Sequence, residues 1–100
     1  MYRQADSPQL EKILTSYYGA DKTGARVGNG GLADALRYEN QTGVLLSDSG
    51  HAQKAVEMQT RLSNFIRKAD NQPPGSYPNS QRDVEYAREL LRDLNNAIKP

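Results

Sequence analysis

The sequence predicts a small, mainly all-α fold: a single-domain bundle of about four helices with a glycine-rich loop after the first. Two patterns carry this expectation. Apolar residues recur at three- and four-residue spacing in four separate segments. Between those segments fall glycine and proline clusters, through which a helix does not continue. With 100 residues the chain is read as one domain, 1–100.

The first helix opens at Ser7-Pro8, where serine caps free N–H groups and proline suits the first helical position. Leu10, Ile13, Leu14, Tyr17 and Tyr18 follow on one face, and Gly19 is a stop signal. Tyr17 and Tyr18 are read as core. Residues 19–31 lose all apolar periodicity and hold Gly19, Gly24, Gly28, Gly30 and Gly31. They form a loop of about a dozen residues, long enough in a compact domain to suggest a function. The second helix is expected over Leu32–Asn40 with Leu32, Ala35 and Leu36 inward, ending at Gly43. Val44-Leu45-Leu46 reads as a buried extended segment or a β-bridge.

Asp48 or Ser49 caps a third helix, about His51 to Ala69, with Ala55, Met58, Leu62, Phe65 and Ala69 inward and Val56 and Ile66 widening the stripe. Pro73, Pro74, Gly75 and Pro78 mark the linker from Asn71 to Asn79. Ser80 and Asp83 then read as a capping box. A fourth helix carries Val84, Ala87, Leu91, Leu94 and Ile98, plus Leu90. The third and fourth helices are expected to pair antiparallel.

Composition removes several function classes. There is no cysteine, so disulfides, zinc ribbons and thiol nucleophiles are out. With one histidine besides, no transition-metal site and no cofactor is expected. No run approaches the ~20 apolar residues of a membrane span, and the polar stretch Met1–Glu11 is unlike a secretory signal. The net charge of +1 does not announce a nucleic-acid binder, so any such role needs a local basic site.

Three groups of residues suit chemistry. Stepping the third helix's stripe back from Ala55 lands on His51, at a helix N-terminus and aimed inward. Helix N-termini attract phosphate and favour a histidine that acts as a base. Lys54 lies one turn on. A histidine that moves a proton beside a lysine that offsets charge suits a phosphodiester. The same pair also fits a capping or packed histidine next to a solvated lysine. The second group is Asp34, Arg37, Tyr38 and Glu39, at helical spacings that orient a histidine or bind phosphate, or that simply form a solvated ion pair. The third is the glycine-rich loop with Lys22 and Arg26, whose backbone can approach a phosphate closely; it lacks the ending of a Walker loop and equally fits a flexible connector. A Ser-His-Asp triad lacks its nucleophile elbow. Arg61, Arg67 and Lys68 read as a solvated outer face.

The run Val27-Gly28-Asn29-Gly30-Gly31-Leu32-Ala33-Asp34-Ala35-Leu36-Arg37-Tyr38-Glu39, then Thr42-Gly43, Gly50-His51 and Gln53-Lys54, resembles the C-terminal toxin domains of contact-dependent growth inhibition effectors and Rhs proteins. The last helix, with Asp83, Ala87, Leu90-Leu91, Asp93-Leu94 and Asn96-Ala97, is similar to the tail of that pattern. The resemblance spans roughly residues 24–99. It implies a ribonuclease, specifically a tRNase, carried by a larger surface effector into the cytoplasm of a neighbouring bacterium. It also implies a cognate immunity protein as partner and, for some such toxins, elongation factor Tu. By matching position it implies His51, Lys54, Arg37, Asp34 and Glu39 as site residues, with Arg26 a looser match. A start at Met1 without a delivery region is expected of a cut-out domain or an orphan module.

The leading expectation is therefore metal-independent RNA cleavage. His51 serves as base or acid, Arg37 and Lys54 stabilise the charged phosphorane, and Asp34 or Glu39 orients a partner. Tyr38 or a carboxylate shares the proton transfers that one histidine does not cover. The alternative is a non-enzymatic helical interaction module, such as an immunity or accessory protein. A DNA-binding helical domain is a third reading, disfavoured by the balanced charge.

Overall fold

A computed structural model describes residues 3–18, 31–44, 51–73 and 80–98. It contains four helices, α1 (Pro8–Tyr18), α2 (Leu32–Thr42), α3 (Ala52–Asp70) and α4 (Gln81–Ile98), and no strand among the described residues. The all-α bundle expected from apolar spacing is the fold observed.

Helix α1 begins as its sequence dictates. The Ser7 hydroxyl accepts the Leu10 N–H at 3.3 Å, and Pro8 occupies the first turn. Leu10, Ile13, Leu14, Tyr17 and Tyr18 are all buried. Tyr17 and Tyr18 meet edge to face with ring centroids 5.0 Å apart. Burial, above all, raises both phenol pKa values well beyond the usual tyrosine range, so both rings stay neutral.

Helix α2 runs two residues past the expected Asn40. It closes where Gly43 takes φ of 71°, a left-handed conformation, and donates its N–H to the Glu39 carbonyl at 2.9 Å. A Cβ at this position would meet nothing within 4 Å. Gly43→Ala should therefore cost only the conformational penalty, about 1–2 kcal/mol, with no clash added. Urea denaturation checks this. Val44 is 53% exposed and lies in no strand, so the buried run expected from it fails there. Its first residue follows an open turn instead of entering the core. Leu45 and Leu46 lie outside the described residues, as do the proposed caps Asp48 and Ser49.

Helix α3 buries Ala55, Met58, Leu62, Phe65 and Ala69, the expected stripe. Ile66 packs against this core, but Val56 is 54% exposed and does not widen it. Val56 sits about 100° round the helix from Ala55, off the covered face. His51 is the N-cap residue, not part of the helix proper. In α4 the buried face holds Asp83, Val84, Tyr86, Ala87, Leu90, Leu94 and Ala97, with Leu91 and Ile98 at its edge. Its centre is thus turned toward Leu90 and Ala97 from the expected Leu91 and Ile98.

Helices α3 and α4 share the most extensive interface, followed by α2 and α4. The pairing is antiparallel: Gln59 bonds Asn95 at 2.6 Å near one end, and Arg88 meets Asp70 at 3.3 Å toward the other. One expectation about α4 is corrected. Ser80 Oγ does accept the Asp83 N–H at 3.4 Å, but the Asp83 carboxylate does not reach back to complete a box. It is fully buried and accepts three hydrogen bonds from the start of α1: the N–H of Asp6 and of Ser7, both at 2.7 Å, and the Ser7 hydroxyl at 2.6 Å. One carboxylate so joins two helix N-termini, and the positive ends of both helix dipoles favour its charge.

Candidate functional site

Position 39 falls on the inward face of α2 with Leu32, Ala35 and Leu36, which leaves the Glu39 side chain only 4% exposed. The start of α3 lies opposite. Glu39 Oε1 accepts the His51 backbone N–H at 2.8 Å, and Oε2 bonds His51 Nδ1 at 2.6 Å. The imidazole is 19% exposed. The carboxylate does two things here. It satisfies an N–H at the α3 terminus, where His51 makes no side-chain cap of its own. It also fixes the ring: a carboxylate partner takes the proton-bearing Nδ1, which leaves Nε2 to exchange protons with whatever lies beyond. A buried carboxylate orienting a histidine is a familiar arrangement for acid–base work.

Arg37 is two residues from Glu39, hence about 200° round the helix, and points elsewhere. Its guanidinium bonds Asp34 Oδ1 at 2.8 Å on its own helix. It also bonds Asp93 of α4, at 2.5 Å to the carboxylate and 2.9 Å to the carbonyl oxygen. The Asp93 bond first, and Asp34 after it, raise the Arg37 pKa and hold it charged. None of its hydrogen bonds goes to His51 or Glu39. The six expected site residues therefore fall into groups. Glu39 and His51 meet directly, and Asp34 and Arg37 form an α2–α4 cluster with Asp93. Lys54 is exposed one turn beyond His51 and makes no hydrogen bond or ion pair among the described residues. Tyr38 is half-buried, its carbonyl accepting the Thr42 hydroxyl at 2.8 Å. Lys22 and Arg26 lie outside the described residues.

Asp93 and Asp83 are the polar residues whose parts sequence reading missed. Asp83 had a signal: it sits four residues before Ala87 on the stripe that continues through Leu90, Leu94 and Ala97. An acid on an apolar stripe needs buried donors. Asp93 had none, because only the packing of α2 on α4 brings Arg37 to it.

Among the described residues no group of three acidic or histidine side chains gathers as a metal site would need, and no helix is long and apolar enough to cross a membrane. Comparison with protein-family models, with curated proteins and with solved structures finds no match.

Proposed function

We propose that this domain is a metal-independent ribonuclease toxin that cuts tRNA in a target bacterium and is neutralised by a cognate immunity protein. The observation that supports it is the Glu39–His51 pair, with both carboxylate oxygens engaged and Lys54 one turn away. The resemblance of residues 24–99 to growth-inhibition toxins supplies the substrate class, the delivery from a producer cell surface, and elongation factor Tu as a candidate helper.

In this reading His51 Nε2 removes the proton from a ribose 2′-hydroxyl. The freed oxygen attacks the adjacent phosphorus, and the bond to the 5′-oxygen breaks. The products are a 2′,3′-cyclic phosphate and a 5′-hydroxyl. Lys54 and the N-terminus of α3 face the charge that builds on the phosphorane. Tyr38, or His51 carrying the proton it took, donates a proton to the leaving 5′-oxygen. Arg37 joins the phosphate only by exchanging Asp34 and Asp93 for it.

Glu39 also caps α3, which favours a second reading: a structural histidine in a non-enzymatic interaction module. Induction of the chain inside bacteria separates the two. Growth arrest with new tRNA ends bearing cyclic phosphate, seen on sequencing total RNA, is the expected result. Unimpaired growth with intact tRNA leaves the interaction module.

A further inference from the structure

Lined by residues of α3 and α4 and by Asn71 lies a groove of about 530 Å³. Its floor is Ile66 and Leu91. Its walls carry three guanidiniums, Arg67, Arg88 and Arg92, with the donor groups of Asn71, Asn95 and Ser63, against one carboxylate, Asp70. The whole chain carries a net charge of only +1, so this is a local concentration of cations.

Neutralising helix ends does not account for it. Arg67 is in the last turn of α3, where a cation complements the helix dipole. Arg88 and Arg92 sit mid-helix on α4, one turn apart, where no helix end needs them. Internal pairing does not account for it either. Arg92 makes no hydrogen bond or ion pair among the described residues, and Arg67 bonds only the Asn64 amide at 2.7 Å. Arg88 reaches Asp70 at 3.3 Å with both side chains half exposed, a pair that water screens heavily.

We infer that this groove is a second RNA-contact site, which binds the phosphodiester backbone of the substrate at a distance from the bond that is cut. The inference rests on the ribonuclease reading. Donors that outnumber acceptors this strongly suit a ligand rich in acceptor oxygens and poor in donors, as a phosphodiester chain is. A protein partner would instead favour a wider apolar centre than two side chains provide. Arg67 lies sixteen residues beyond His51, the residue that caps the same helix, or about 24 Å along the axis at 1.5 Å per residue. The groove therefore selects for a folded RNA that reaches both places, and it adds affinity that the near-neutral chain otherwise lacks.

The test uses the full chain carrying His51→Gln, so that RNA is bound and not cut, with bulk tRNA as probe and fluorescence anisotropy as readout. Adding Arg67→Gln, Arg88→Gln and Arg92→Gln should weaken binding by at least tenfold at low salt. The slope of log affinity against log salt should flatten by about 2 to 3, as loss of three phosphate contacts requires. Equal affinity and equal slope overturn the groove, and gain of binding to an acidic protein in place of RNA does the same. The triple variant with His51 intact should cut tRNA with a raised KM and an unchanged kcat. If the groove variants lose RNA binding while the unsubstituted chain cuts no RNA, the nuclease reading fails alone. If that chain cuts and the triple variant still binds normally, the groove fails alone. All three side chains are on exposed helix positions, so circular dichroism should show the fold retained.

Discussion

In the proposed ribonuclease, His51→Ala should abolish tRNA cleavage, lowering kcat by about 10²–10⁴-fold, the range that a positioned acid or base contributes. The geometry makes this substitution unusually clean. Glu39 holds His51 by two contacts, and only one of them belongs to the ring. Alanine keeps the backbone N–H that Oε1 accepts, so the start of α3 stays capped. Oε2 loses its bond to the ring, and removal of a ring already 19% exposed opens a path for water. The helical signal and the melting temperature should therefore change little while activity falls. A structural histidine predicts the reverse: a lowered melting temperature and cleavage at the wild-type rate. Quantitative cleavage of purified tRNA, read beside thermal melting, separates the outcomes. Cleavage retained by the alanine variant removes His51 from the mechanism.

Asp83→Ala should produce the largest loss of stability among the polar substitutions. Three hydrogen bonds to a fully buried carboxylate disappear at once, and they leave the Asp6 N–H, the Ser7 N–H and the Ser7 hydroxyl without that acceptor. An unsatisfied buried donor costs about 1–3 kcal/mol, so a loss of about 3 kcal/mol or more is expected. In a domain of this size that lowers the melting temperature by about 12 °C or more. The α1 start would be released from α4, because Ser7, which also caps α1 through Leu10, is held by the same carboxylate. Asp83→Asn should lose less, since its amide oxygen still accepts one or two of the bonds. A melting temperature unchanged in the alanine variant would show that the tie between the two helix termini contributes nothing. Arg3, which crosses the Tyr86 ring at 4.3 Å and pairs with an exposed Glu89 at 2.9 Å, adds a weaker second tie between the same regions.

Much of the candidate site can be read from spacing, although only part of it was. Continuing the stripe of Leu32, Ala35 and Leu36 reaches Glu39. Running the stripe of Met58 and Ala55 backward reaches His51. Both polar residues occupy positions that the helical period turns inward, and an inward carboxylate and an inward imidazole need partners. What spacing does not supply is which carboxylate meets the ring. Asp34 and Glu39 were equal candidates in the sequence, and the 200° between positions 37 and 39 sends Arg37 and Glu39 to different neighbours. Val56 shows the converse limit. It is apolar and adjacent to the stripe, but how wide a face is buried depends on how far the neighbouring helices extend over it.

The sequence by itself determined the four helices and most of their inward residues. Those follow from hydrogen bonds within one segment, from proline and glycine stereochemistry, and from a period of 3.6 residues, all of which are local. Only the tertiary structure decided that Glu39 grips His51, that Arg37 is shared by Asp34 and Asp93, that Asp83 serves the start of α1, and that three arginines line one groove. Each of these contacts depends on the distance and rotation between helices far apart in the chain. Those are set by the packing of whole faces, which no local pattern encodes.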